Sequence, residues 1–384
     1  MEVKQIHVIT NTSVSETLGR ENVIAEDLSN LVDAGEEIFN ANAVDRYVKS
    51  LLNTIGKMIF VQRTYKPNLP DIYRDSWEYG SVVEKIQMDM PSAEENESWE
   101  LEDRASYDQQ IFYKPKVSVK FFNKKTTFEI PISITEKQIR QSFNNAQQLN
   151  TFISMIYNGV EKAMNVRIDN LKLRTITNFA CETVYNEYPT ANYSEKSGVR
   201  AVNLLYLYKQ EKGVELDADK CLTDKDFIRY ASYTMSRYID RFRYLSSLFN
   251  LDGKERQTPK ELLHVIMLSD FKRGADMYLE SDTFHNELVS LPLADTVPYW
   301  QGSGKTYSFG DVTRMNVKTS SNYDVNITGV ICCMFDHDAL GIFQEDRRVT
   351  STYNAKAEFF NNYHKSDANY FNDFAENFVV FFVA

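Results

Sequence analysis

Apolar and polar positions along the chain change period several times, and each change marks an element. In residues 1–56 Ile24, Leu28, Leu31 and Val32 fall at helical spacing, as do Val44, Val48, Leu51, Leu52 and Ile55. The first set carries too little apolar surface for a core of its own, so it predicts an arm packed on something else. From 57 to 132 the period drops to two. Ile86, Met88 and Met90 alternate with Lys85, Gln87 and Asp89, and Val117, Val119 and Phe121 alternate with Lys116, Ser118 and Lys120. Such alternation predicts half-buried strands, here two arms of a long hairpin. Phe128, Ile130 and Ile132 repeat the pattern after the turn-like Asn123-Lys124-Lys125.

Between the two arms lie Glu94, Glu95, Glu97, Glu100, Glu102 and Asp103, an acidic tip. A lone two-stranded hairpin is marginal in water, so this one is expected to lie on a neighbour. Its acids are expected to meet lysines of that neighbour, with Lys116, Lys120, Lys124 and Lys125 as candidates. The competing reading is a solvated charge run.

Residues 133–189 turn helical. Ser133 with Glu136, or Thr135 with Gln138, can form a capping box. Ile139, Phe143, Ala146, Leu149, Ile153, Ile156, Val160 and Met164 then share one face, and Val166, Ile168, Leu171, Ile176 and Phe179 continue it with a shift. In 190–328, Val202–Tyr208 predicts a strand and a helix follows Thr223 with Phe227, Tyr230, Met235, Tyr238 and Phe242 inward. Leu262–Leu268 predicts a buried strand, 271–288 a helix and 292–311 an exposed loop. In 329–384, the runs at 330–335 and 378–383 predict buried strands that close the core. The whole is an α+β chain.

The chain has 384 residues, enough for a large core, and an unusual share of aromatics with 23 Tyr and 24 Phe. These fit either a core or an interface. A formal charge of −11 disfavours a dedicated nucleic-acid binder. Cys181, Cys221, Cys332 and Cys333 show no disulfide framework, which predicts a reducing compartment. No signal peptide or membrane-length apolar run is present, so a soluble chain without membrane partners is expected.

Candidate chemistry is thin. Gly302-Ser303-Gly304-Lys305-Thr306 resembles half of a phosphate-binding loop, but Tyr299 stands where the first glycine is needed. Cys332, Cys333 and His337 lack zinc spacing, and adjacent strand cysteines point to opposite faces. The five histidines form no catalytic or metal-binding motif. No cofactor, metal or catalytic residue is expected.

The order of elements resembles the major capsid proteins of tailed bacteriophages with the Hong Kong 97-type fold. The stretch Lys116–Thr135 looks like an E-loop return running into a spine helix, and Gly159-Val-Glu-Lys-Ala-Met-Asn-Val-Arg-Ile-Asp169 looks like the later spine. Segments 329–340, 349–362 and 370–384 resemble the strands that end such proteins. The resemblance implies an N-terminal arm (1–56), an E-loop with flanking strands (57–132), a spine helix of a P domain (133–189), an A domain (190–328) and return strands (329–384). It implies a non-enzymatic subunit that forms pentamers and hexamers of an icosahedral shell, assembled in the host cytoplasm. The partners it implies are a separate scaffolding protein, a portal at one vertex, and packaged double-stranded DNA held without specific recognition. Hinges are expected at 77–80, with Trp77, at Pro131 and near Gly56; Ile153 and Val160 should hold the spine. The alternatives are another virion component such as a tail or adaptor protein, and a nucleotide-binding enzyme using 302–306.

Overall fold

The computed structural model describes residues 3–20, 23–51, 72, 83–91, 93, 97–107, 110–142, 146–280, 294–301, 306–319 and 322–384. The expected hinges at Gly56 and 77–80, the acids Glu94 and Glu95, and the loop at 302–305 fall outside these residues. The chain divides into two compact units, each built from several separate stretches.

The first unit comprises 1–78, 125–173 and 342–369. Helices α1 (Val3–Leu18), α2 (Leu31–Asn40) and α3 (44–51) form its N-terminal part. The turn that leads to α2 is fastened to α1. His7 bonds the Ile24 carbonyl at 3.0 Å, and Asn11 accepts the Ile24 amide at 3.1 Å. Ile9, Ile38, Tyr47 and Leu51 then share one buried cluster with Ile153, Val160 and Phe360. The element on which the arm packs is thus within the same chain, where α3 and the long helix complete its core. Strands β1 (Val83–Met88) and β2 (Val117–Phe122) belong to the second unit and are described below. Strand β3 (Lys125–Thr135) pairs antiparallel with β11 (Phe359–Asn372), whose other neighbour is β10 (Leu340–Asn354). At the end of β3 the chain turns into α4 (Glu136–Ser142) through Thr135 and Gln138. The Thr135 amide donates to Gln138 Oε1 at 3.0 Å, and the Gln138 amide donates back to Thr135 Oγ1 at 3.3 Å. Of the two capping boxes open in the sequence, this is the one formed.

Helix α5 (Ala146–Glu187) has 42 residues, or about 63 Å of helix. Ile153, Ile156, Val160 and Met164 are buried as the periodicity requires, and Ile168, Leu171, Ile176 and Phe179 continue the face with the expected shift. Val166 is the exception and is exposed.

The second unit comprises 79–124, 174–341 and 370–384. Its five-stranded sheet runs β4-β12-β9-β5-β6, with β4 (Ala201–Asn203), β5 (Leu263–Leu268), β6 (Asp295–Val297), β9 (Val330–Asp336) and β12 (Phe378–Phe382). Every residue of β9 and β12 is buried, which fits their unbroken apolar runs. Phe179 of α5 stacks on Phe378 with ring centroids 4.1 Å apart. Helices α6 (Leu204–Lys212), α7 (Lys225–Phe242) and α8 (Ser269–Glu280) also belong to this unit, which holds α9 (Phe309–Val312) and a small ladder of β7 (Met315–Lys318) with β8 (Asp324–Ile327). The strand expected over 202–208 ends at Asn203, whose carboxamide oxygen accepts the amides of Leu205 and Tyr206 and starts α6. Its amide group also holds the Ala384 carbonyl at 2.9 Å, which ties the end of the chain to the sheet. Gly329 sits at φ +85°, and a Cβ there would come within 1.9 Å of the Val383 carbonyl oxygen, so no side chain fits.

Candidate functional site: the root and outer face of a hairpin

Strands β1 and β2 pair antiparallel, with Lys85 opposite Lys120, Gln87 opposite Ser118, and Ile86 opposite Val119. The alternation in the sequence therefore exists, but its apolar face is turned the unexpected way. Lys85, Gln87, Ser118 and Lys120 face the body of their unit and are partly buried. Ile86 and Phe121 are each 65% exposed, and Met88, Val117 and Val119 share their face.

The inward face is polar because it meets a polar surface. Lys85 and Lys120 oppose each other, an arrangement that like charges make unfavourable. The Asp373 carboxylate resolves it, with Lys85 Nζ at 2.7 Å and Lys120 Nζ at 2.8 Å on its two oxygens. The side chain of Asp373 is fully buried. Lys85 Nζ also reaches Glu376 at 2.7 Å, and Lys120 Nζ reaches Asp252 at 2.5 Å. Gln87 donates to Glu376 at 2.8 Å and accepts from Arg256 at 2.8 Å. Lys254 holds Asp89 at 2.7 Å, and Arg256 Nε lies 3.4 Å from Glu376. Lys85, Lys120, Lys254 and Arg256 thus face Asp89, Asp252, Asp373 and Glu376, so the root is charge-balanced.

The titration of these groups follows from that geometry. Burial pushes the Asp373 carboxyl up, but hydrogen bonds from Lys120 and Lys85 outweigh it and hold the group below the usual range. Burial wins at Glu376, which is raised although Lys85 and Arg256 pull it down. Behind them Asp336 is also raised by burial while it accepts the Thr258 hydroxyl at 2.6 Å.

Of the residues expected to form contacts, Lys120 enters this root and is held by acids of its own chain, not left to a neighbour. Lys116 is exposed, and its charge helps to lower the Asp89 carboxyl after the hydrogen bond from Lys254. Lys124 and Lys125 are exposed where the chain passes from β2 to β3. Glu97 opens the short 3₁₀ turn Glu97–Trp99, and Glu100 stands at the exposed tip, where Trp99 is 95% exposed. Ile153 and Val160 lie in the first unit's core. Trp77, Glu94 and Glu95 lie outside the described residues. Sequence reasoning missed Asp252, Lys254, Arg256, Asp373 and Glu376, which sit in turns without periodicity. The signal available was the matching polar file Lys85-Gln87 and Ser118-Lys120.

Among the described residues no group of three or more His, Cys, Asp and Glu could hold a metal ion. Cys332 and Cys333 are buried in β9, and burial pushes both thiols up. No helix among the described residues is long and apolar enough to cross a membrane.

An inverted hairpin on a buried polar root, with its apolar face turned to solvent, suits a subunit that offers surface to other copies. The sequence profile of the family described as Phi29-like phage major capsid protein matches residues 9–382. The chain belongs to that family. A chain from the structure of the head fiber and inner core protein gp22 of native bacteriophage P68 is 10% identical to this capsid protein. The match covers 84% of this chain and 87% of that one, with a TM-score of 0.50. A chain from the capsid of Staphylococcus phage Andhra gives 8% identity over 84% and 88%, with a TM-score of 0.49. A chain from the capsid of cyanophage P-SCSP1u gives 12% identity over 82% and 87%, with a TM-score of 0.45. At such identities the likeness concerns the fold alone. A comparison with curated proteins finds no match. The capsid protein is thus a structural component of a phage head, which displaces the tail and adaptor alternatives.

Proposed function

We propose that this capsid protein builds its shell as pentamers and hexamers, with the hairpin of β1 and β2 as an E-loop laid across the adjacent copy. The observation that carries this reading is the outer face of the hairpin: Ile86, Met88, Val117, Val119 and Phe121 are exposed on their own chain. Apolar patches of this kind mark protein interfaces. Covering them together with the tip would contribute to contacts of about 2,000 Å² per pair, the size of obligate assemblies. In this reading α5 is the spine of the P domain, and the five-stranded sheet with α6 to α8 forms the A domain. The helices α1 to α3 act as the N-terminal arm.

The chain carries no catalytic role here. A separate scaffolding protein and a portal at one vertex complete the assembly, which forms in the host cytoplasm. Packaged DNA is enclosed without sequence recognition, consistent with a net charge of −11. Electron microscopy of the purified protein, expressed with and without its neighbouring phage genes, tests the reading. Closed shells, or rings of five and six subunits, are expected. Dispersed monomers under both conditions would overturn it.

A further inference from the structure

Lys120 is held by Asp252 and Asp373, which leaves the acidic tip to meet a cationic receptor elsewhere. One surface of the second unit supplies it. Near the end of α7 and just beyond, Arg237, Arg241 and Arg243 meet no carboxylate among the described residues. Arg237 lies over the Tyr233 ring at 5.5 Å, and its buried Nε has no hydrogen-bond acceptor. Arg241 lies over the Tyr238 ring at 5.3 Å. Tyr233 and Tyr244 are exposed beside them, and Tyr244 is 76% exposed. Asp240, exposed on the same helix, forms no ion pair with these arginines. In a chain of net charge −11, this is a concentration of uncompensated positive charge on an aromatic platform.

The complementary surface is on the same chain. The carboxylates of Glu100, Glu102 and Asp103 form no ion pair with a cation among the described residues, and Trp99 and Leu101 project beside them into solvent. Arg237 and Arg241 are one helical turn apart, about 6 Å along the axis.

We propose that the acidic tip of one copy, Trp99 to Asp103, docks on the Arg237–Arg241–Arg243 surface of α7 in another copy. This rests on the assembly reading above and names the receptor it lacks. A second copy fits better than nucleic acid because the receptor pairs its arginines with exposed Leu245 and Leu248, and the tip brings matching apolar groups. Paired unlike charges at such a contact fix register and exclude wrong neighbours.

A charge exchange tests it in full-length protein, with shells counted by electron microscopy and folding checked by circular dichroism. R237E/R241E and E100R/E102R should each cut shell yield at least about tenfold, and the two sets combined should restore it to within about twofold. If either set leaves shells unchanged, or if the folded combination fails to assemble, the pairing is overturned. Shells of R237E/R241E that form normally but lose packaged DNA would also overturn it, in favour of a nucleic-acid surface. If R237E/R241E does not fold, E100C/R241C decides: oxidised shells should give disulfide-linked oligomers on non-reducing gels, and monomers only would sink the proposal. A wild-type protein that makes no shells at all would instead count against the assembly reading.

Discussion

Lys85 and Lys120 oppose one another across two antiparallel strands, and the two oxygens of one buried carboxylate, Asp373, hold them 2.7 and 2.8 Å away. The direction in which the hairpin leaves the body therefore depends on a group some 250 residues later in the chain. Removing that group leaves two like charges facing each other in a partly buried space. D373A should lower the stability of the unassembled subunit by about 3 kcal/mol, since breaking a buried pair leaves its partners uncompensated. Denaturant unfolding measures this, and proteolysis within 83–122 should accelerate with it. A loss below about 0.5 kcal/mol would mean that the root does not hold the hairpin.

Acid should act on the root in two steps of opposite sign. Glu376 has a carboxyl raised by burial, so its ionised form is a cost in the folded protein that disappears as pH falls through its folded pKa. Protonation there occurs first and removes the negative charge that faces Lys85 and Arg256. Asp373 is lowered, so its contribution is fully present above the ordinary carboxylate range and is lost only as pH falls through its depressed value. Backbone NMR shifts around Gln87 should move at a higher pH than those around Lys120. A single common transition, or the reverse order, would contradict this assignment.

Much of the fold was legible because its periods are long and clean. The buried face of α5 from Ile153 to Met164 follows the sequence position by position. The runs Val330–Phe335 and Phe378–Phe382 read as buried strands because both their faces are covered. The hairpin shows the limit. A period of two says that Ile86 and Lys85 lie on opposite faces, but not which face meets the body. Burial of apolar groups is the usual rule, and here Asp373 and Glu376 reverse it by offering the lysines a partner. The stretch 202–208 misled for a different reason. Val202, Leu204 and Tyr206 alternate like a strand, while the cap made by Asn203 commits the chain to a helix. What the arm packs on was not legible, because its contacts Ile153 and Val160 lie more than 100 residues away.

The arm's packing within its own chain has a measurable consequence. Ile38 of α2 is fully buried in a cluster that includes Ile153 and Val160. I38A should therefore destabilise the unassembled subunit by about 2–5 kcal/mol, the range for truncating a buried aliphatic side chain. An arm that packs only on neighbours would leave the free subunit unaffected and weaken the shell alone. Thermal unfolding of subunits under dissociating conditions separates the two. I153P, which breaks α5 at the same core, should cost about 3 kcal/mol or more locally and abolish assembly.

The outer face of the hairpin should behave in the opposite way to its root. Ile86 and Phe121 touch solvent on their own chain, each 65% exposed, so polar replacements there remove little that the subunit uses to fold. I86S/F121S should change subunit stability by no more than about 0.5 kcal/mol. In the proposed shell contact the same side chains would be covered by the adjacent copy, where each buried methylene is worth about 0.8 kcal/mol. The double variant should therefore remain folded and fail to close, giving free subunits or small oligomers in sedimentation. D373A perturbs both folding and assembly, whereas I86S/F121S perturbs assembly alone, so the pair separates a hairpin that is positioned from one that is docked. Normal shells from I86S/F121S would show that the apolar face is not part of the contact.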